Sequence, residues 1–172
     1  RPSTTLERLA SLKPVFDDNG SVTAGNASQF ADGASANVVM SASKAEELGI
    51  EPLGYFRGFA TAGVGPDEMG IGPVKAVPKL LDMVGMTLDD IDIVELNEAF
   101  AAQAIGCLRE LGLDNDRPNE LGSGISLGHP IGCTGARQMV TGIHHMQRQG
   151  YATGLISMCI GGGMGMCMIV ER

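Results

Sequence analysis

A cysteine directly before a glycine cluster is the first candidate for chemistry in this sequence. In the stretch SMCIGGGMGM, Cys159 precedes the three consecutive glycines 161–163. Glycine loses much backbone entropy on folding and packs poorly in a strand, so the cluster predicts a turn that a ligand approaches closely. Its backbone N–H groups could bind a developing anion, which would make Cys159 a reactive thiol. The alternative is a cysteine buried as a small apolar side chain.

The stretch GHPIG holds the second candidate, His129. A histidine fixed by Pro130 and exposed by the neighbouring glycines could act as a general base or as a donor to an oxyanion. A turn histidine that hydrogen-bonds to the backbone explains the same pattern equally well. His144 and His145 fall on a predicted helix, and we expect both on its surface.

Asn97 is the third candidate, because it directly follows the apolar stretch IDIVEL. As the N-cap of a helix it would be fully explained. If its amide turns outward, it can hold a water or a substrate oxygen, and Glu98 can stabilise the helix start through the helix dipole. Ligands of α/β sheets lie at the carboxyl ends of strands, where Asn97 and Cys159 are both predicted.

The other three cysteines are weaker candidates. Cys133, at a predicted helix start, is a second possible thiol, although packing at the helix entry explains it better. Cys107 and Cys167 are predicted to lie in the core. No zinc-ligand spacing occurs, so we predict no metal site and expect free thiols in a reducing compartment.

Apolar patterning predicts an α/β fold with a mixed, mainly parallel sheet covered by helices on both faces. The predicted strands are 33–41, 52–64, 91–96, 152–160 and 164–170. Helices are predicted at 43–48, with a Ser43–Glu46 capping box, at 72–84, at 98–111, with Gly112 as its stop, and from the glycine loop 127–137 to about 149.

Charge and composition exclude several classes of protein. The 172 residues carry a formal net charge of −8, which argues against non-specific nucleic-acid binding. Residues 149–170 carry no formal charge, but their six glycines favour two buried strands around a turn over a membrane span. The opening residues from Arg1 resemble neither a signal nor a transit peptide, and we expect a part of a longer protein or a processed product.

Four motifs together resemble one family, in its order and spacing. They are TAGNAS at 23–28, NEAFAAQA at 97–104, GHPIGCTGAR at 128–137 and CIGGGMG at 159–165. They resemble the carboxyl-terminal half of thiolases, the acyl-CoA acyltransferases, and the resemblance covers essentially the whole chain. It implies that residues 1–32 are the end of the loop domain and a lead-in segment, and that 33–172 are the carboxyl-terminal thiolase domain.

The resemblance implies a composite catalytic site for making or cleaving 3-ketoacyl-CoA. His129 would activate a nucleophilic cysteine and line one oxyanion hole, which a water held by Asn97 completes. Cys159 would be the acid/base that moves the proton at the α-carbon. The backbone N–H of Gly161 would belong to a second oxyanion hole.

The resemblance also implies coenzyme A as cosubstrate, with no permanently bound cofactor. Ser28 would contact the pantetheine arm, and Phe100 would line the pocket beside it. We further expect the amino-terminal thiolase half as a partner, and a homodimer or homotetramer for the full-length protein. The expected location is the cytoplasm, with an organelle matrix as the alternative. Whether the enzyme is degradative or biosynthetic stays open.

Two departures from the family pattern qualify these expectations. Residues 122–124 are Gly-Ser-Gly where many members have Gly-Gly-Ala. The family's nucleophilic cysteine lies in the amino-terminal half, and Cys133 does not occupy its position. We therefore expect this chain to be inactive alone. The alternatives are a non-catalytic assembly or binding domain and a thioester hydrolase with Cys159 and His129 as nucleophile and base.

Overall fold

The computed structural model describes residues 2–172, which leaves Arg1 outside the described range. A four-stranded sheet forms its centre, in the order β1-β4-β3-β2. The strands are β1 (Tyr55–Gly63), β2 (Ile93–Leu96), β3 (Thr153–Ile160) and β4 (Met164–Glu171).

The sheet is mixed, as predicted, but parallel pairing does not dominate it. Strands β2 and β3 are parallel, whereas β3–β4 and β4–β1 are antiparallel. The short turn 161–163 joins β3 directly to β4, and only antiparallel neighbours can be joined by so short a connection. Counting strands and helices in alternation therefore overestimated the parallel share.

Within the described residues, six α-helices and two 3₁₀ segments connect and cover the strands. The α-helices are α1 (Leu6–Ala10), α2 (Ala42–Glu47), α3 (Gly72–Val84), α4 (Ala101–Leu111), α5 (Gly124–Leu127) and α6 (Thr134–Gln149), and the 3₁₀ segments are Pro66–Ile71 and Leu88–Asp90. No helix within residues 2–172 combines the length and the apolar character that a membrane crossing needs.

Helices cover both faces of the sheet, which confirms this part of the prediction. On one face, Leu80 of α3 and Leu108 of α4 join a buried cluster with Leu155 and Ile169 of the sheet. On the other face, a smaller cluster is built around Met146 of α6. The alternation of side chains along β2 sends consecutive residues to opposite faces, so α6 covers one set and α3 with α4 the other.

Residues 33–41 are not a strand, contrary to the prediction. The segment has no regular secondary structure, and the side chains of Val38 and Val39 are each 86% exposed. Small apolar residues gave it the pattern of a buried strand, but it pairs with no strand of the described residues.

Two helix starts also differ from the prediction. Helix α4 begins at Ala101 after Phe100, so Asn97 is not its N-cap. In α2 the cap is Ser41, whose hydroxyl accepts from the N–H of Lys44 at 3.2 Å, and the predicted Ser43–Glu46 box is wrong. The glycine stop of α4 is confirmed, since Gly112 adopts φ 70°.

Gly165 of β4 lies against the backbone of Gly72 at the start of α3, so a Cβ at position 165 would overlap the Gly72 carbonyl. We predict that Gly165→Ala lowers the free energy of unfolding by about 1–3 kcal/mol, as overpacking does. Gly106→Ala, in α4 with open space around it, is the matched control and should raise it by about 0.5–1 kcal/mol. Urea unfolding measures both, and equal effects would contradict the prediction.

Candidate active site

The parallel pair β2–β3 brings two of the candidate residues to one edge of the sheet. The backbone N–H of Asn97, directly after β2, donates to the carbonyl oxygen of Ser157 at 3.0 Å. Cys159 follows two residues further along β3 and is half-buried. Both residues therefore lie at the carboxyl ends of their strands, as the strand pattern predicts.

The side chain of Asn97 faces His129 instead of capping a helix. It is fully buried, and its Nδ2 lies 3.5 Å from Nε2 of His129. Its Oδ1 has no hydrogen-bond partner among the described residues. This leaves Oδ1 able to accept a hydrogen bond from a water or a substrate group.

Glu98 does not serve the start of α4 as expected. Its carboxylate accepts instead from the N–H of Ile125 at the start of α5, at 3.4 Å, and from the Asn119 amide at 3.5 Å. The helix-dipole role proposed for it is therefore wrong, because α4 begins only after Phe100.

Two polar residues that the sequence analysis missed hold the segment that carries Asn97. The side chain of Asn119 accepts from the Leu96 N–H at 2.9 Å and donates to the Leu96 carbonyl at 2.8 Å, like a short strand partner. The fully buried Ser123 donates to the same carbonyl at 3.3 Å and accepts from the N–H of Glu98 at 3.4 Å. Ser123 is the middle residue of the Gly-Ser-Gly departure, so that departure supplies a contact to the site.

Residues 26–29 connect the loop that carries Asn97 to the loop that carries His129. The N–H of Ser28 donates to the carbonyl of Ala99, and the N–H of His129 donates to that of Gln29, each at 2.9 Å. These two bonds fix the relative position of the Asn97 and His129 loops.

Phe100, the residue that precedes α4, lies beside this connection. An isolated antiparallel bridge joins it to Ala27, next to Ser28. Its ring packs edge-on against that of Phe16, with centroids 6.0 Å apart. The bridge makes Ser28 and Phe100, the two residues expected to contact CoA, neighbours. Both are half-buried.

His129 is half-buried and held through both ring nitrogens. Its Nδ1 lies 2.6 Å from the hydroxyl of Thr134, opposite the contact of Nε2 with Asn97. Burial, together with the positive charge of Arg137, lowers the pKa of His129 below its ordinary value, so the ring is neutral near pH 7. None of its hydrogen bonds within the described residues goes to Cys159.

The strand β3, which carries Cys159, leads into a turn whose backbone favours glycine. Gly162 and Gly163 have φ of 84° and 87°, and the carbonyl of Gly163 accepts from the N–H of Val64 at 2.8 Å. Gly161, directly ahead of them, is exposed. Burial raises the pKa of the Cys159 thiol, so it rests in the protonated form, which suits a proton donor.

A buried ion pair lies behind the site, on the α6 face of the sheet. The carboxylate of Glu95 in β2 is 2% exposed and lies 3.5 Å from a guanidinium nitrogen of Arg137 in α6. Burial raises the pKa of Glu95 to about 7, although Arg137 opposes the shift. Sequence analysis missed this pair, and a glutamate inside an apolar strand was the signal that could have found it.

His145 is not on the helix surface, contrary to the prediction, whereas His144 is exposed. His145 is buried on α6, with Nε2 2.9 Å from the carboxylate of Glu120. Position 145 lies on the side of α6 that faces the sheet and the loop after α4.

The remaining cysteines lie where the sequence placed them. Cys107 and Cys167 are fully buried, and burial raises their pKa values to about 11 and 12. Cys133 is buried at the residue before α6, in agreement with packing at the helix entry. Among residues 2–172, no three or more His, Cys, Asp or Glu side chains are grouped as a metal site would need.

Family models match both ends of the chain. The thiolase N-terminal domain model matches residues 1–43, and the thiolase C-terminal domain model matches residues 50–172.

Individual relatives and solved structures agree with the family models. The chain is 55% identical over 172 residues to the peroxisomal 3-ketoacyl-CoA thiolase B of Rattus norvegicus, covering 99% of this chain and 41% of the relative. It is 51% identical over 171 residues to the 3-ketoacyl-CoA thiolase of Bacillus subtilis, covering 99% and 44%. The acetyl-CoA acetyltransferase structure from Bacillus anthracis matches with a TM-score of 0.94 and 48% identity, covering 99% and 43%.

A human mitochondrial 3-ketoacyl-CoA thiolase solved in complex with CoA matches with a TM-score of 0.93 and 42% identity, covering 100% of this chain and 44% of that one. The chain therefore spans about two fifths of the length of the proteins it matches. The match of the C-terminal model to most of the chain, together with these likenesses, shows that the chain belongs to the thiolase family.

Proposed function

We propose that this chain supplies the carboxyl-terminal part of an acyltransferase that makes or cleaves 3-ketoacyl-CoA by Claisen chemistry with CoA thioesters. The observation that carries the proposal is the contact of Asn97 Nδ2 with His129 Nε2 at 3.5 Å, at the end of the sheet where β3 carries Cys159 as the residue before its last. The named activities of the relatives and the CoA complex of one structural neighbour support the choice of substrate.

In this proposal His129 acts first as a base and then as a hydrogen-bond donor. Its neutral ring takes the proton of a nucleophilic cysteine, supplied by the rest of the protein, as the thiolate attacks the 3-keto carbon. The protonated Nε2 and a water bound to Oδ1 of Asn97 then face the thioester oxygen. One such preorganised donor is worth about 3 kcal/mol when charge develops on that oxygen.

Cys159 supplies the proton that the departing carbon needs. Cleavage of the C–C bond leaves an enolate, and the Cys159 S–H bond breaks as a C–H bond forms at the α-carbon. The thiolate that remains takes the proton of incoming CoA, whose sulfur then attacks the acyl-enzyme. The N–H of Gly161 faces the tetrahedral intermediates as a further donor.

A nucleophilic role for Cys159 in a Cys–His hydrolase has less support. A nucleophile needs a lowered thiol pKa, whereas burial raises that of Cys159. Within the described residues His129 hydrogen-bonds to Thr134 and Asn97 but not to Cys159, so the nucleophile–base contact that such a hydrolase needs is not formed. We therefore keep Cys159 as the acid/base.

The chain is also proposed to be inactive without the rest of the protein. The nucleophile that the family uses lies outside this sequence, as the resemblance implies. Apolar side chains that are normally covered are exposed here: Phe30 is 96% exposed, and Val38 and Val39 are 86% exposed. These residues are proposed to pack against the missing part, whether or not the assembly is catalytic.

A complementation experiment tests the proposal. This chain is co-expressed with the part of the Bacillus subtilis 3-ketoacyl-CoA thiolase that it does not match, and the purified pair is called the complemented enzyme. We expect CoA-dependent cleavage of acetoacetyl-CoA to two acetyl-CoA by the complemented enzyme, and none by either polypeptide alone. Turnover by this chain alone, or release of free CoA without acetyl transfer, would contradict the proposal.

A further inference from the structure

The hydroxyl of Thr134 joins the catalytic histidine to the start of α6. Thr134 is the first residue of that helix and is fully buried. Its Oγ1 lies 2.6 Å from Nδ1 of His129 and 3.1 Å from the carbonyl oxygen of Pro130. The short distance to Nδ1 makes this the closest contact of the histidine ring.

The hydrogens of these contacts can be assigned from the donors and acceptors present. A carbonyl oxygen only accepts, so the single hydroxyl hydrogen of Thr134 points to Pro130. The hydroxyl oxygen then offers a lone pair to Nδ1 of His129, which must carry the hydrogen. The two hydrogen bonds therefore run in one direction, from Nδ1 of His129 to the Thr134 oxygen and from the Thr134 hydroxyl to the Pro130 carbonyl, and each polarises the other.

The other side of the ring leads to the same assignment. Nε2 of His129 faces the side-chain amide NH₂ group of Asn97, which only donates. A hydrogen on Nε2 would place two donors against each other, whereas a lone pair on Nε2 accepts. Contacts on opposite sides of the ring therefore favour the same tautomer.

We propose that Thr134 is a positioning residue that fixes His129 in the tautomer with its hydrogen on Nδ1, so that Nε2 keeps its lone pair toward the reacting groups. This inference rests on the proposed function, in which Nε2 is the base. In the proton transfer, the S–H bond of the nucleophile breaks and an N–H bond forms on Nε2. The hydrogen on Nδ1 stays in place, and the Thr134 oxygen stabilises the resulting cation.

Thr134→Val tests the inference, because it replaces the hydroxyl by a methyl group of similar size. Without the acceptor, the hydrogen is free to move to Nε2, which removes the lone pair that takes the proton. We expect kcat of the complemented enzyme to fall about 10- to 100-fold, by analogy with the loss of an outer partner of a metal-bound histidine, with KM little changed. Thr134→Ser, which keeps the hydroxyl, should restore most of kcat.

The tautomer is measured by nitrogen-15 NMR of the histidine rings, with only this chain labelled. The chain has three histidines, which keeps the spectrum simple. We expect the hydrogen on Nδ1 of His129 in the unsubstituted protein and in Thr134→Ser, and a measurable share of it on Nε2 in Thr134→Val, where only the Asn97 contact still favours Nδ1. Thr141→Val on the same helix is the matched control, since Thr141 makes no side-chain hydrogen bond to described residues and should change neither readout.

Several results would overturn the inference. They are a hydrogen on Nε2 in the unsubstituted protein, an unchanged tautomer in Thr134→Val, or a Thr134→Ser variant as slow as Thr134→Val. If Thr134→Val does not fold, the spectra of the unsubstituted protein and of Thr134→Ser still decide. A complemented enzyme without thiolytic activity would count against the proposed function, while the tautomer spectra of this chain would still test Thr134.

Discussion

Replacing Cys159 with alanine is expected to lower kcat for acetoacetyl-CoA cleavage by the complemented enzyme about 10²- to 10⁴-fold, the range that a positioned general acid or base contributes. The thiol is half-buried at the end of β3, and burial keeps it protonated until the enolate forms. Alanine removes the proton donor and leaves the apolar contacts of the β-carbon. Initial rates at saturating CoA measure the effect.

Proton exchange at acetyl-CoA separates this role from that of a nucleophile. If Cys159 moves the α-proton, Cys159→Ala should stop deuterium incorporation into the acetyl methyl group while acetyl transfer to the nucleophilic cysteine continues. Cys133→Ala is the matched control, because Cys133 is the other candidate thiol and is buried at the entry of α6. Loss of activity in Cys133→Ala but not in Cys159→Ala would contradict the assignment.

The fold could be predicted where burial comes from the chain's own elements. The strands around 93–96, 153–160 and 164–171 and the helix ending near 149 lie close to their predicted positions, because their apolar residues pack on each other. The prediction failed at 33–41, where Val38 and Val39 are exposed. An apolar pattern indicates that a segment is to be covered, but it does not say whether a strand, a helix or another polypeptide covers it.

The candidate site divides in the same way. Cys159, His129 and Asn97 could be found because glycine, proline or a strand end beside each one leaves a local signal. Residues that act through distant contacts leave none. Asn119 and Ser123 were missed for this reason, since each acts on the site through Leu96, which lies 23 and 27 residues earlier in the chain.

Glu95 gives the largest stability effect that we expect. Burial raises its pKa to about 7, from 4.5 in the unfolded chain, so the folded protein binds a proton that the unfolded chain releases between these values. The resulting stability is fully present below pH 4.5 and is lost as the pH rises through 7. A difference of this size corresponds to about 3 kcal/mol.

Glu95→Gln isolates this contribution from that of His129, whose lowered pKa acts in the opposite direction because the unfolded chain then binds the proton more tightly. Relative to the unsubstituted protein, Glu95→Gln should gain about 3 kcal/mol of unfolding free energy between pH 4.5 and pH 8. Urea unfolding across this range measures the difference. Glu110→Gln, on the exposed side of α4, is the control for the same change of side chain in water.

A substitution of Arg137 tests the direction of this pH dependence a second time. Its guanidinium lies 3.5 Å from Glu95 and opposes the effect of burial on that carboxyl. Arg137→Met removes the charge and keeps much of the side-chain volume, so the pKa of Glu95 should rise further and the loss of stability should move to higher pH. Two results would contradict this assignment: a loss of stability that moves to lower pH in Arg137→Met, or a stability difference between Glu95→Gln and the unsubstituted protein that does not change with pH. Either would show that water screens the pair and that the buried carboxyl is not the main source of pH-dependent stability.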